Sequence, residues 1–170
     1  GVHGLSRKRS KKSVYGRQLA EKQRAKEIYG LREKQFINYM KKAASKVGDT
    51  GQFLLSSLES RLDNVVFRMG LGSSRSQARQ IVGHGHMLVN GKKVNIPSYK
   101  VKVSDVVSLS EKGKGKKMFE KATEKLTKIE PVSWISVNPK DLSAKVLNTP
   151  TVETPAFDIK SIIEFYARKI

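Results

Sequence analysis

The stretch from Ser60 to Lys112 constrains this chain more than any other, because it reads without interruption as helix, turn, helix, hairpin. The first helix enters from Phe53, and its apolar positions Leu58, Leu62, Val65, Val66 and Met69 recur at the spacing of a half-buried helix. Gly70 ends it, since glycine takes the left-handed conformation of a helix stop without penalty, and Gly72 keeps the following turn flexible. Ser74 opens the second helix with Gln77 three residues on, the spacing of a capping box, and Ala78, Ile81 and Val82 form its buried stripe. Asn90-Gly91 then lies between Met87-Leu88-Val89 and Lys92-Lys93-Val94. Both central residues of a type I′ turn need positive φ, so this pair predicts a two-residue hairpin with two lysines beside its tip.

Off the apolar stripes the helix pair carries basic and amide side chains. Arg61, Asn64 and Arg68 are expected on an exposed flank of the first helix, and Arg75, Ser76, Arg79 and Gln80 on the second. Guanidinium forks and amides suit phosphates and base edges. From Arg61 to Lys102 there are eight Lys or Arg and a single acid, Asp63, so one face of a small α+β unit is expected to be almost purely cationic. That pattern is the footprint of a polyanion-binding surface.

Composition agrees. The chain of 170 residues has a formal net charge of +19, a balance that favours nucleic acid or an anionic membrane surface as partner. No apolar run approaches the ~18 residues of a spanning helix, from which a soluble intracellular protein is expected. Cysteine is absent, which excludes disulfides and thiolate metal sites within these residues. The charge is uneven: residues 1–50 hold 14 basic and four acidic side chains, whereas residues 131–170 hold five and four. The basic surface is therefore built by the first hundred residues.

In chain order, Arg7, Lys8, Arg9, Lys11 and Lys12 form an arm that meets no acid until Glu21; it reads either as a segment ordered by an RNA backbone or as a solvated, disordered tail. Helices are predicted over Ser13–Tyr29, bearing Arg17 and Arg24, and over Glu33–Gly48. Gly48-Asp49-Thr50-Gly51 reads as a turn and a domain boundary. After the hairpin, Val101 and Val103 alternate with lysines and Val106–Leu109 completes a strand. A mobile loop around Gly113 and Gly115, a helix carrying Met118, Ala122, Leu126 and Ile129, strands over Trp134–Val137 and Leu142–Leu147, and a final helix with Ile159, Ile162, Ile163 and Tyr166 follow. That last helix is too short to stand alone and must dock.

The segments RLDNVV, SRSQARQIVGHGHMLVNG and VNIPSY, with the terminal IIEFYARK, resemble the bacterial small-subunit ribosomal protein S-four family over nearly the whole chain. The resemblance implies an α+β architecture in which both chain ends, residues 1–58 and 151–170, make a helical domain. Residues 59–150 would be an inserted RNA-binding module with a small, mostly antiparallel sheet and a β extension. It implies a cytoplasmic constituent of the small subunit that binds its ribosomal RNA early, neighbours ribosomal protein S-five, affects decoding accuracy and represses its own messenger. Relative to that family the chain lacks the usual N-terminal segment, which in some members carries a zinc-binding cysteine cluster; no metal and no cofactor are expected here.

The RNA-binding residues expected on these grounds are Arg7, Lys8, Arg9, Lys11, Lys12, Tyr15, Arg17, Arg24, Arg61, Asn64, Arg68, Ser74, Arg75, Ser76, Gln77, Arg79, Gln80, His84, Gly85, His86, Asn90, Gly91, Lys92, Lys93, Ser98 and Tyr99. His84 and His86 fit RNA contact or loop packing better than metal ligation, with His86 expected to be partly buried. Asp63 fits a structural carboxylate, pairing with a neighbouring arginine or capping a backbone group. A catalytic carboxylate needs a closed pocket on a larger sheet domain, for which this chain has no room. Phe36, Phe53 and Phe67 belong to apolar stripes; Tyr15 and Tyr99 are the aromatic residues best placed for stacking. No catalytic residue is expected. The competing readings are an RNA-modifying enzyme and a ribosome-rescue factor that share the same module.

Overall fold

A computed structural model describes residues 13–167 except 121, 129 and 153. Helix α1 (Val14–Tyr29) starts where the Ser13 hydroxyl accepts from the Gly16 N–H and stops at left-handed Gly30. Helix α2 (Glu33–Ala44) buries Phe36, Met40 and Ala43. Helix α3 (Thr50–Glu59) is capped by Asp49, whose carboxylate accepts from the Gly51 and Gln52 N–H groups. Helices α4 (Leu62–Arg68) and α5 (Arg75–Gly83) then pack side by side.

Strands β1 (Met87–Val89), β2 (Lys92–Lys93), β3 (Val106–Leu109), β4 (Ile135–Asn138) and β5 (Ser143–Val146) form one antiparallel sheet in the order β2-β1-β3-β5-β4. Between β3 and β4 lie short helix α6 (Glu111–Lys114), a 3₁₀ turn at Lys117–Phe119 and helix α7 (Ala122–Lys128). Helix α8 (Ile159–Ala167) closes the chain against α1 and α3. Helices and a separate small sheet make an α+β fold, as the sequence suggests.

Sheet register sets one buried face. Met87 pairs with Leu109, Val89 with Val107, Val107 with Ala144 and Ile135 with Val146, so alternate residues of four strands point to the same side. They meet Val65 and Val66 of α4, Met69 just after it, and Ala78, Ile81 and Val82 of α5 in one apolar cluster. A second cluster joins Ala25, Tyr29, Phe36, Met40, Leu54 and Leu58 to Phe157, Ile162, Phe165 and Tyr166. Residues 25–58 and 157–166 thus share one core while residues 62–146 build another. The turn chemistry follows the residues: Asn90 and Gly91 take φ of 50° and 77°, and Gly70 takes 90°.

Four local expectations are corrected. The single helix from Phe53 to Met69 is two helices, broken at Ser60-Arg61, where Arg61 is extended. Residues 97–101 supply the substitute partners: the Leu62 N–H donates to the Tyr99 carbonyl, the Asp63 N–H to the Pro97 carbonyl and the Val101 N–H to the Ser60 carbonyl. Leu58 and Leu62 therefore face different cores although their spacing reads as one stripe. Gly72 is a close approach and not a flexible joint, since a Cβ there would lie 2.9 Å from the Ala78 backbone nitrogen. Val101 and Val103 join no strand; Lys100 makes an isolated bridge with Arg61 and Ser104 turns the chain with φ of 72°. The helix around Ala122 and Leu126 starts later than expected, after the 3₁₀ turn.

Candidate nucleic-acid interface

Glu59, the last residue of α3, is fully buried between the two cores. Its carboxylate accepts from the Tyr29 hydroxyl at 2.6 Å, from the Asn64 amide at 2.8 Å, and from both Nε and Nη2 of Arg68 at 2.8 and 2.9 Å. Asn64 also donates to the Glu59 carbonyl and accepts from Arg75 Nε at 2.8 Å. The Arg75 guanidinium is held between two rings, 4.9 Å from the Tyr29 centroid and 4.5 Å from that of Phe67. Residues of α1, α3, α4 and α5 are thus tied into one network. Burial by itself would raise the Glu59 carboxyl; hydrogen bonds and charge from Arg68, with Tyr29 and Asn64, more than offset it and hold the group below its ordinary value. Burial, reinforced by the Glu59 charge and hydrogen bond, pushes the Tyr29 phenol well above its ordinary value.

A second link forms around Asp63. Arg61 donates Nε to Oδ1 at 3.0 Å and Nη2 to Oδ2 at 2.5 Å, a bidentate pair, while its Nη1 reaches the Tyr39 hydroxyl of α2 at 3.0 Å. The Asn64 N–H also donates to Asp63, so this carboxylate is both paired and capping, as expected. The expected exposed flank of Arg61 and Asn64 is corrected here: both are buried, at 2% and 1% exposure, because α4 turns that side toward α1, α2 and α3. Arg68 is half-buried on Glu59.

What faces solvent is the start of α5. Ser74, Arg75, Ser76 and Arg79 line a cleft of about 460 Å³ together with Tyr29 and Gly30 from the end of α1. The Ser74 hydroxyl accepts from the Gln77 N–H at 3.2 Å, whereas the Gln77 side chain accepts from the N–H and hydroxyl of Ser73. Arg79 lies 3.5 Å from Asp63 with its side chain 43% exposed. Gln80 is exposed beyond it.

Comparison with known proteins adds to this geometry. Residues 1–59 match the family model described as ribosomal protein S4/S9 N-terminal domain, and residues 60–107 match the S4 domain model. Small ribosomal subunit protein uS4 of Halothermothrix orenii is 48% identical over 99% of this chain and 81% of its own length. The chain belongs to the uS4 family. Small ribosomal subunit protein uS4A of Clostridium acetobutylicum is 51% identical with the same coverage, and uS4 of Roseiflexus castenholzii is 44% identical over 99% of this chain and 84% of its own. The two family models meet between residues 59 and 60, so the Glu59 network straddles the boundary between the uS4 N-terminal region and its S4 domain.

The other candidate residues of this uS4 chain fall into separate groups. Arg7, Lys8, Arg9, Lys11 and Lys12 lie outside the described residues. Tyr15 and Arg17 are exposed near the start of α1, the Tyr15 ring 5.5 Å from that of Phe165, and Arg24 is exposed further along α1. His84, Gly85, His86 and Lys93 meet beyond the end of α5. Lys93 crosses Gly85 so closely that a Cβ there would lie 2.4 Å from its Cε. His86 is buried against Phe119; burial first, then Lys116, His84 and Lys93, push its pKa down. Asn90 is spent on structure, donating to Asp105 and accepting from the Val106 N–H, while Gly91 and Lys92 remain exposed at the tip. Ser98 and Tyr99 are exposed on the loop that caps α4.

Sequence reasoning missed Glu59 and Tyr29. The signal available was a lone acid flanking a basic tract, but its partners lie up to 30 residues away. Among the described residues no group of three or more His, Cys, Asp or Glu is arranged to hold a metal ion, and no helix is long and apolar enough to cross a membrane.

Proposed function

We propose that this chain is a structural, RNA-binding constituent of the small ribosomal subunit that holds ribosomal RNA without chemistry. The observation that carries the reading is the open cleft at the start of α5, where Arg79 and the serine hydroxyls face solvent beside a guanidinium already fixed by two rings. Pre-ordered donors on a helix pair suit phosphates, and the deep major groove of an RNA helix admits contact by shape and backbone more readily than by base sequence. Exposed Arg17, Arg24, Lys92, Lys93, Lys100 and Lys102 extend the cationic surface and would each release counterions on binding. Residues 1–58 with 151–170 act as one body and 59–150 as a second. The Glu59 and Asp63 networks clasp the two, so that RNA elements bound to each are held in one mutual arrangement.

The test is binding of the full chain to folded small-subunit and large-subunit ribosomal RNA in magnesium across a salt series. A small-subunit preference that persists at moderate salt is expected. Equal, steeply salt-dependent binding to both RNAs would refute the reading, because charge alone has that behaviour.

A further inference from the structure

Between α2 and the loop at Ser98 lies a polar notch of about 280 Å³, lined by Gln35, Asn38, Tyr39, Lys42, Arg61 and Ser98. We infer that it takes a single unpaired nucleotide whose base carries a carbonyl oxygen, a uracil or a guanine, with a phosphate near Lys42. This rests on the RNA-binding reading and adds a base-reading site to it.

Hydrogen-bond supply selects the occupant. Arg61 lines the notch with three of its five N–H donors engaged, Nε and Nη2 on Asp63 and Nη1 on the Tyr39 oxygen. Arginine only donates, so Tyr39 accepts there and its own proton is left for an occupant. Gln35 uses its carbonyl oxygen on the Arg32 N–H at 3.2 Å, which leaves its NH₂ group as a donor. Asn38, Lys42 and Ser98 have no side-chain partner among the described residues. Donors thus outnumber acceptors in the notch. Uracil and guanine, which present a carbonyl oxygen (O4, O6) where cytosine and adenine present a donating amino group, match that surplus better.

Size and place agree. The volume lies just below the ~300–1,000 Å³ of small-ligand sites, room for one base and far too little for a helix. RNA sequence is read chiefly at unstacked bases in loops, bulges and junctions, where the Watson–Crick edge is free. The notch walls come from α2 on one side and from Arg61 and the Ser98 loop on the other. A base seated there would touch both halves of the clasp.

The experiment probes folded small-subunit ribosomal RNA with a carbodiimide, which modifies unpaired uridines and guanosines, alone and with the full chain or its Asn38→Ala and Ser98→Ala variants. Both side chains are exposed, so folding is unaffected, and a thermal melt checks this. With the wild-type chain one unpaired uridine or guanosine is expected to lose reactivity, and Asn38→Ala is expected to restore it. The same variant should weaken binding about tenfold with an unchanged salt slope, since an amide contact to a base displaces no counterion. Lys42→Ala should lower the slope by about one. Binding by both alanine variants within twofold of wild type, with identical reactivity patterns, overturns the notch and leaves the proposed function standing. Loss of small-subunit preference by the wild-type chain itself overturns both.

Discussion

Replacing Glu59 with Gln keeps the volume and removes the charge on which the two cores are joined. The Arg68 guanidinium then lacks its counterion, and the new amide NH₂ confronts donors from Asn64 or Arg68 that now meet no acceptor. Removing one partner of a buried pair costs ~3–5 kcal/mol. Arg68 is 27% exposed and can regain part of its hydration, and the amide oxygen still accepts once, so the lower end applies, about 3 kcal/mol. For a chain of this length that is a fall in melting temperature of about 6–12 °C. In urea it is a midpoint shift of about 1.5 M at an m-value near 2 kcal/mol/M.

Tyr29→Phe removes one hydrogen bond to the same carboxylate, and a double-mutant cycle with Glu59→Gln should show coupling of about 1 kcal/mol. The pH dependence follows from the depressed carboxyl. The Glu59 contribution is complete above the unfolded value near 4.3, and drains as the pH falls from there through the lower folded value. The gap between wild type and Glu59→Gln should therefore narrow in acid. A loss below 1 kcal/mol at pH 7, or a gap that stays constant from pH 7 to pH 3, would refute the account of Glu59 as the charged centre of the clasp.

Gly72→Ala drives a methyl group against Ala78 backbone at 2.9 to 3.0 Å, where no flexible side chain can yield, and should cost about 1–3 kcal/mol in a urea titration. Glu33, held at about 2 by Lys22, Lys26 and Tyr166 against the opposing effect of partial burial, is 41% exposed. Glu33→Gln should lower stability by no more than ~1 kcal/mol at neutral pH. That difference should fade with added salt and vanish as the pH drops from about 4.3 toward 2, as followed by thermal melts. Arg79→Ala should weaken RNA binding by about 1–3 kcal/mol if its contact to RNA is paired, with little change in melting temperature, because its side chain is 43% exposed and its one carboxylate neighbour is at 3.5 Å. Arg75→Ala should lower both binding and melting temperature, since the two ring contacts and the bond to Asn64 go with it.

The elements were legible where local chemistry decides them. Asn90-Gly91 demanded a tight turn, Gly70 a helix stop and Ser74 a cap, and all three take those conformations. The strands expected at Val106–Leu109 and Leu142–Leu147 form, the second as Ser143–Val146, because one sheet face is buried. Periodicity misled at Ser60-Arg61. A helical stripe records which residues are apolar and not which core they enter, and the backbone partners that break the helix come from residues 97–101, nearly 40 positions on. The same blindness placed Arg61 and Asn64 on a surface. Residues off the apolar stripe of a lone helix point to water, but α4 has neighbours on that side too.

Net charge is consequently a poor count of what the chain offers to RNA. Four arginines flank the α4–α5 pair, and their side-chain exposure differs from 3% for Arg61 through 22% and 27% for Arg75 and Arg68 to 43% for Arg79. The most buried is fully committed to Asp63 and Tyr39, and the most exposed has a single distant acid. Arg75 lies between these cases: its ring sandwich fixes the guanidinium, while burial, the leading cause, pulls its pKa down as a carboxylate 3.8 Å away only partly compensates. The two acids in the sequence that look out of place, Glu59 and Asp63, thus determine which arginines build the scaffold and which are left for the partner.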